Sequence, residues 1–274
     1  MIKIQQVPKS FIQPEKILPE EYIFGSQQIV GLILRPSGQW PLIRDDEVQA
    51  KRFETNSCTS FGTINSVQSI FKELFKLDIN YSERFLAKGS GTDPNTGGND
   101  PHKVAEWARK NGFVDEAILP FDDSVKTIDD YYATLPNEAL KKGQEWLNKW
   151  VLKHDWLSDG SLIPTETLMK ALRYSPLGVA VYAWAHDEEK DLYVRPEHAK
   201  DIHWCEMVGY KENEYWLAID SYSPFVKKLD WNFGFYFAKR YYISEAEKKT
   251  SISANLIKSL IKLFEWLKSK IIHS

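Results

Sequence analysis

The sequence predicts an α+β protein in which a helical region precedes a region of antiparallel strands. Apolar residues recur at helical spacing in the segment after Cys58, at Phe61, Ile64, Val67, Phe71, Leu74 and Phe75. Two strand-like runs, 203–210 and 215–219, flank a short polar turn, which is typical of a hairpin. A chain of 274 residues can bury one large core or two modest lobes. We therefore expect a helical lobe followed by a β lobe, with a cleft between them.

The first fifty residues read as a separate region. Residues 1–50 are punctuated by prolines and predict an extended arm, with short strands over 22–24 and 29–34. The first residues show no apolar core before a cleavage site, so no secretory signal is expected. This favours a cytoplasmic location or one inside a virion.

The two lobes are expected over residues 51–160 and 161–245. The first contains the helix that follows Cys58, with further helices over 102–111 and 137–153. A short helix from Thr165 begins the second lobe, and the strands after it continue to its end.

The C-terminal residues 251–274 predict an amphipathic helix, with leucines on one face and lysines on the other. Packing of residues 253–272 on the body or on a partner protein is favoured over contact with a membrane surface. The lysines of this segment and Trp266 are nevertheless compatible with contact at a membrane surface.

Composition excludes several classes of protein. The net charge of −3 predicts no affinity for nucleic acid, and ten tryptophans argue against disorder. No apolar stretch reaches the length of a membrane span. Only two cysteines are present, so a disulfide framework is not expected and a reducing compartment is favoured.

Cys58 is the first candidate for chemistry, because it stands where a loop turns into a helix. Unpaired N–H groups in the first turn and the aligned backbone dipoles favour thiolate over thiol, and thiolate is the nucleophilic form. A buried cysteine can equally be a small packing residue. Cys205 is expected to be such a residue, since its surroundings lack the spacing of a zinc site.

His203 is the candidate base, because it opens a strand while the other five histidines fall in loops or at element ends. The predicted hairpin brings the start of its first strand beside the end of its second, so His203 and Asp220 are expected to be neighbours. A carboxylate there holds one ring nitrogen and leaves the other facing a thiolate, as in a catalytic triad.

These residues resemble the papain-like cysteine peptidases over about residues 45–243. Cys58-Thr-Ser-Phe stands where the family has Cys-Trp-Ala-Phe, and the separation of Cys58 from His203 falls within the family's interval of roughly 130 to 150 residues. Residues 203–210 are similar to the family's histidine strand, and residues 220–222 stand where it has Asn-Ser-Trp.

Several weaker motifs follow in the family's order. Residues 81–86 are similar to its Leu-Ser-Glu-Gln-x-Leu segment, and residues 95–98 resemble its Cys-Asn-Gly-Gly stretch. The resemblance implies that a substrate backbone lies against Gly97 and Gly98. Residues 233–237 resemble the family's closing strand.

The departures from the family pattern concern the site itself. No glutamine stands six residues before the cysteine, so Gln49, nine residues before it, is the candidate oxyanion donor beside the Cys58 N–H. Asp220 replaces the family's asparagine and should favour a protonated His203. Tyr222 takes the place of the tryptophan that shields the histidine, and Trp204 should crowd a substrate pocket and select small residues there.

The resemblance implies a peptidase acting on peptide or isopeptide bonds, with Cys58, His203 and Asp220 in the triad and no metal or organic cofactor. The sequence shows neither the family's disulfide cysteines nor a long helical segment before Cys58, and in both respects it resembles divergent bacterial and bacteriophage members. Two alternatives remain open. One is an inactive binding or structural protein with the same fold, for example in a phage particle. The other is an acyltransferase of the transglutaminase type.

Overall fold

The computed structural model describes residues 1–14, 17, 33–42, 48–95 and 97–246. Residues Met1–Ser244 form one compact unit, and Glu245–Ser274 form a second that lies almost entirely outside the described residues. The strand predicted over 22–24, residues 29–32 of that predicted over 29–34, and the C-terminal helix also lie outside them.

The helices of the described part mostly precede the sheet in sequence. They are α1 Cys58–Ile70, α2 Glu83–Gly89, α3 Pro101–Asn111, α4 Ile128–Tyr131, α5 Asn137–Leu147 and α6 Thr165–Leu172. A π-helical turn, Phe71–Phe75, continues α1. The predicted helix after Cys58 and the one over 102–111 are thus confirmed. Asp100 caps α3 by accepting from His102 N at 2.8 Å, and Pro101 fills its first position.

Helix α1 lies at the centre of the molecule, since all of its 13 residues are buried. It contacts α2 and α3 and also strands of the sheet. Its serine and threonine side chains are small and Gly62 has none, so neighbouring elements can pack closely against every side of the helix. A helix enclosed in this way holds its first residue, Cys58, in a fixed position.

Nine strands make one sheet in the described part of the chain. They are β1 Ile2–Ile4, β2 Trp150–Trp156, β3 Leu177–Val181, β4 Ala185–Asp187, β5 Leu192–Val194, β6 His203–Lys211, β7 Tyr215–Ile219, β8 Val226–Asp230 and β9 Ala238–Glu245. Their order is β1-β4-β5-β8-β7-β6-β3-β9-β2. The one-residue pairing of β5 with β8 is parallel, and the other registers that are defined are antiparallel.

The predicted hairpin is confirmed as β6 and β7, which pair from Glu206 opposite Ile219 to Lys211 opposite Tyr215. A register shift lies between Met207 and Gly209. Such a bulge changes the local twist while the pairing continues on both sides of it.

One predicted helix is too long. Helix α5 ends at Leu147, and the residues that follow form β2, because its aromatic and β-branched side chains suit a pleated surface. His154, expected at a solvated helix end, is therefore buried in a strand and hydrogen-bonds Glu106 Oε1 at 3.1 Å. Burial lowers the pKa of His154 to about 3. The closing strand also begins later than residues 233–237, at Ala238.

No helix among the described residues has the length and apolar character needed to cross a membrane.

Glu206 on β6 is a carboxyl group inside the core. The residue is completely buried, and neither carboxyl oxygen has a hydrogen-bond partner among the described residues. Burial raises the pKa of Glu206 to about 8, and nearby Ser69 on α1 offsets this only in part. The carboxyl is therefore protonated at neutral pH.

This predicts a stability that depends on pH. An unfolded glutamate ionises near pH 4.5 and the folded one near pH 8, so the carboxyl's contribution is greatest below pH 4.5 and falls as pH rises to about 8. Glu206→Gln should remove this fall and be more stable than the wild type at pH 8, by the order of a few kcal/mol. Urea unfolding at pH 5 and pH 8 measures it, with the exposed Glu212→Gln as control. Equal pH dependence in all three proteins would contradict it.

Candidate active site

Cys58 is the first residue of α1 and is completely buried. The turn before it depends on Asn56, whose φ of 55° lies in the left-handed region that asparagine tolerates. Asn56 is held there because its backbone N–H donates to Glu54 Oε1 at 2.8 Å and its side chain donates to Pro94 O at 2.6 Å. The N–H of Cys58 stands in the first helical position, where no intrahelical acceptor is available.

His203 and Asp220 meet as the hairpin requires. His203 opens β6 opposite Val181 of β3, and Asp220 directly follows β7. His203 Nε2 and Asp220 Oδ1 are 2.5 Å apart, and both side chains are fully buried. The pair therefore forms without competition from water.

Asp220 has three further hydrogen-bond donors. Trp184 Nε1 donates to its Oδ2 at 2.8 Å and Lys227 Nζ donates to the same oxygen at 2.7 Å. The N–H of Ser221 donates to Oδ1 at 2.7 Å. Burial would raise the pKa of Asp220, but the charges of His203 and Lys227 and the hydrogen bonds outweigh it, so the pKa is lowered. Asp220 is therefore an anion that is fixed in orientation.

The other ring nitrogen of His203, Nδ1, is buried and makes no hydrogen bond of regular geometry with the described residues. Cys58 is close enough for its charge to act on the ring. Burial disfavours a charged imidazole, yet the charges of Asp220 and Cys58 and the hydrogen bond to Asp220 raise the pKa of His203 to about 10. An imidazolium at His203 is thus stabilised between Asp220 and Cys58.

Two aromatic rings flank the imidazole. The centroid of the Tyr222 ring lies 5.3 Å from that of His203, and the Trp184 centroid lies 5.9 Å away. Tyr222 is 8% exposed and Trp184 is fully buried. Together they separate the His203 to Asp220 hydrogen bond from solvent.

Gln49 is buried beside the ring of Tyr222. Its Oε1 accepts from Ser221 Oγ at 3.0 Å, and its Nε2 donates to Tyr222 Oη at 3.0 Å and to Glu54 Oε1 at 2.5 Å. Tyr222 in turn donates to Glu54 Oε2 at 2.5 Å. Both amide hydrogens of Gln49 are therefore engaged in this structure, and a substrate oxygen would have to replace one of these two acceptors.

Trp204 lies in the helix–sheet interface beside Cys58. A Cβ at Gly62 of α1 would be 2.7 Å from its Cδ1, and one at Gly178 of β3 would be 2.6 Å from its ring. Two glycines thus make room for the indole. Trp204 and Cys58 belong to one buried apolar cluster with Phe11, Trp156, Ala180 and Phe237.

The space beside Gly97 and Gly98 is filled by another part of the chain. Lys9 O lies against Gly97 and Ser10 O lies against Gly98, so closely that a side chain at either glycine would collide. The N-terminal residues therefore run along the surface expected for a substrate.

The sequence alone did not identify Lys227, Trp184, Glu54 or Phe11 as site residues. For Lys227 a signal exists, because the strand 226–230 alternates and places it on the same face as the buried Leu229. Trp184 and Phe11 meet the site only through contacts between distant segments, while Glu54 lies in the loop just before Cys58 and bonds Asn56 and Gln49 there.

The Asp220 to Lys227 pair leads to a prediction about stability. Asp220→Asn removes the carboxylate from a fully buried ammonium, so we expect a loss of about 3–5 kcal/mol. Adding Lys227→Met removes the uncompensated charge, and the double variant should recover part of that loss. Urea unfolding of both single variants and the double variant measures the coupling, with Lys228→Met as the exposed control on the same strand. Strictly additive losses would refute it.

Comparison with known proteins identifies relatives by structure alone. No family model and no curated protein sequence matches the chain. Procathepsin L 3 of the Tenebrio molitor larval midgut is similar, with 17% identity, a TM-score of 0.52, and coverage of 77% of this chain and 74% of that one. Procathepsin L2 from the same source gives 16%, 0.57, 85% and 77%.

A bacterial structure is similar to the same extent. The cysteine protease and lectin-like domains of Cwp84, a surface layer associated protein of Clostridium difficile, give 14% identity, a TM-score of 0.57, and coverage of 79% and 54%. This chain thus spans little more than half of that structure. The structural neighbours are cysteine proteases, and the fold of this chain is papain-like.

Proposed function

We propose that the chain is a cysteine peptidase that cleaves peptide or isopeptide bonds through an acyl-enzyme. The observation that carries the proposal is the convergence of Cys58, at the start of α1, with His203 and Asp220, at the end of one hairpin. The cysteine proteases among the structural neighbours support it at the level of the fold. They also favour hydrolysis of the acyl-enzyme over transfer of the acyl group to an amine, which is the reaction of a transglutaminase.

The proposed reaction begins with the Cys58 thiolate, which attacks the substrate carbonyl carbon. A C–S bond forms and the carbonyl π electrons move to oxygen. The oxyanion then re-forms the carbonyl while the C–N bond breaks, and His203 Nδ1–H donates its proton to the leaving amine. The product is a thioester on Cys58 and a free amine.

Water completes the cycle. His203, now neutral, accepts a proton from water through Nδ1 as the water oxygen attacks the thioester. Breakage of the C–S bond releases the carboxylic acid and restores the thiolate beside the imidazolium. Throughout, Asp220 accepts from Nε2 and holds the ring with Nδ1 towards the sulfur. Lys227 and Trp184 in turn hold Asp220.

The proposed oxyanion donors are the Cys58 N–H and the Gln49 amide. Gln49 is anchored on the Asp220 side of the site through Ser221 and on the Cys58 side through Glu54. Substrate would take one of the two amide hydrogens that Tyr222 and Glu54 now accept.

The environment of the protein is part of the proposal. It places the protein in a cytoplasm or inside a virion, with a bacterial or bacteriophage origin, as the sequence led us to expect. Protein substrates, and a partner protein or membrane surface for residues 253–272, belong to the proposal as well.

A second candidate is a papain-like binding protein without catalytic activity. Two observations favour it: Cys58 and His203 are both completely buried, and both Gln49 amide hydrogens are engaged. Covalent capture of Cys58 during turnover distinguishes it from the peptidase.

We expect an epoxysuccinyl inactivator to add to Cys58 in the folded protein and to abolish hydrolysis of a fluorogenic peptide. Cys58→Ala should lower kcat/KM by at least about 10³-fold, because the nucleophile is lost. Intact-mass and peptide-mass measurements locate the adduct, and Cys205→Ser serves as the matched thiol control. A modified Cys58 without any turnover in the wild type would select the binding protein.

Gln49→Ala should lower kcat by about 10²–10³-fold with little change in KM, since an oxyanion donor acts mainly in the transition state. Gln39→Ala is the control, because Gln39 is a half-buried glutamine whose amide is likewise engaged, donating to Tyr210 O at 2.8 Å. Steady-state kinetics measure both. A kcat within twofold of the wild type would assign the second donor to another group.

A further inference from the structure

Lys227 lies in β8 with its side chain inside the protein. The alternation of β8 places Lys227 and Leu229 on the buried face of the strand, while Lys228 between them is exposed. A fully buried lysine is unusual, because an ammonium group loses its hydration on burial and needs a compensating partner. The contacts of Lys227 therefore show what its charge does in the interior.

The ammonium group of Lys227 has an acceptor for each of its three hydrogens. Nζ donates to Asp220 Oδ2 at 2.7 Å, to Tyr222 O at 2.7 Å and to Pro224 O at 2.6 Å. Three oxygen acceptors require three N–H donors, which only the charged form of a lysine offers. Lys227 therefore brings a positive charge to the carboxylate of Asp220.

The carboxylate of Asp220 lies between this ammonium group and the imidazole of His203. Its Oδ2 accepts from Lys227 and Trp184, and its Oδ1 is 2.5 Å from His203 Nε2. One anion thus meets two groups that can carry a positive charge, one on each oxygen. Because Lys227 already balances the carboxylate, the ion pair of Asp220 and Lys227 is neutral whichever form the imidazole takes.

The other titratable side chains packed on this set are uncharged at neutral pH. Burial raises the pKa of the Cys205 thiol on β6, and it also raises the pKa of the phenols of Tyr193 on β5 and of Tyr222. The rings of Trp184 and Tyr193 cover the ammonium group, with Nζ of Lys227 5.0 and 5.5 Å from their centroids. None of these groups supplies a counter-charge to the carboxylate.

Two further carboxyl groups lie at the edge of the set. Glu54 accepts from the hydroxyl of Tyr222, and Asp191, which acts on Tyr193, is 78% exposed. Cys58 on α1 faces the His203 ring and acts on it by its charge. Among the described residues, the cations within ion-pair distance of Asp220 are thus His203 and Lys227.

The proposed reaction requires the His203 ring to change its charge in each cycle. The ring gives a proton to the leaving amine and later takes one from water. If the ring were the only partner of a buried anion, loss of its proton would leave that anion uncompensated, which is strongly unfavourable. With Lys227 in place, the ring can be neutral while the carboxylate keeps a partner.

We propose that Lys227 is a positioning residue that acts through Asp220: as the permanent counter-ion of the carboxylate, it leaves the His203 ring free to release and regain a proton. The consequence for catalysis rests on the proposed peptidase function, whereas the charge relation between Lys227 and His203 does not. Removal of the Lys227 charge should hold His203 in its protonated form to a higher pH.

Titration of the imidazole by ¹⁵N NMR tests this relation without turnover. The full chain is labelled in histidine and carries Cys58→Ala, which removes the thiol from the ring, and His203→Gln identifies the signals of that ring. Lys227→Met removes the charged donor to Asp220 Oδ2.

Two controls separate charge from hydrogen bonding. Trp184→Phe removes a neutral donor to the same carboxylate oxygen and keeps an aromatic ring in place. Lys228→Met removes an exposed charge from the same strand.

We expect Lys227→Met to raise the midpoint of the His203 titration by at least about one pH unit, which is a tenfold change in proton affinity, or to keep the ring protonated throughout the range. Trp184→Phe and Lys228→Met should move the midpoint by less than about half of that. An unchanged midpoint in Lys227→Met would overturn the proposal. An equal shift in Lys227→Met and Trp184→Phe would do the same, because a hydrogen bond would then account for it.

A second comparison decides the matter if Lys227→Met does not fold. Asp220→Asn and the double variant Asp220→Asn/Lys227→Met also differ only at position 227, and neither contains the carboxylate. The midpoint should again be higher by about one pH unit in the variant without the lysine. Equal midpoints in this pair would count against a charge effect of Lys227 on the ring.

A peptide assay then separates this proposal from the proposed function. With Cys58 restored, Lys227→Met should lower kcat near pH 7 by about tenfold and move the pH profile to higher pH, and adding Asp220→Asn should reverse the move. A wild type that hydrolyses no peptide, together with the expected titration shift, rejects the peptidase and keeps Lys227 as the counter-ion. An active wild type whose kcat and pH profile are unchanged by Lys227→Met would overturn the role in catalysis.

Discussion

The buried contact between His203 and Asp220 is the interaction on which the site depends. It fixes the imidazole through one nitrogen and so decides what the other nitrogen faces. It also joins the start of β6 to the end of β7, so any change in the register of that hairpin would separate the two groups. Helix α1, enclosed on all sides, carries Cys58, so the candidate site depends on the packing of one helix against one hairpin.

Charge balance explains how an aspartate can stand where papain-like proteins have an asparagine. An additional buried anion would be costly alone, but Lys227 supplies a cation at 2.7 Å, and Trp184 donates to the same oxygen. The carboxylate of Asp220 and the ammonium of Lys227 then cancel in charge. An ion pair thus stands where papain-like peptidases have a neutral amide, and Asp220 still offers His203 a hydrogen-bond acceptor.

The sequence was sufficient for the parts of the site that follow local rules. Helical periodicity located α1, and strand alternation with a polar turn located the hairpin that carries His203 and Asp220. It failed where a choice depends on distant partners. Residues 150–156 continue an apparently helical stretch but pair within the sheet, and His154 is buried with them. Phe11 joins the site through Trp204, and Glu54 accepts from Tyr222, so in both cases a partner far along the chain completes the contact.

The pairing of β1 at the sheet edge has a consequence for chemical probes. Because β1 pairs with β4 of the same chain, the contact of Phe11 with Trp204 does not weaken on dilution, and the local concentration of the Phe11 ring is of the order of millimolar. A reversible compound that competes for the place of the Phe11 ring must be present above this local concentration, unless it binds more tightly than the ring does. A ligand that binds beside Trp204 and also displaces β1 from the sheet edge removes the tether, and it therefore meets less competition than a small fragment does.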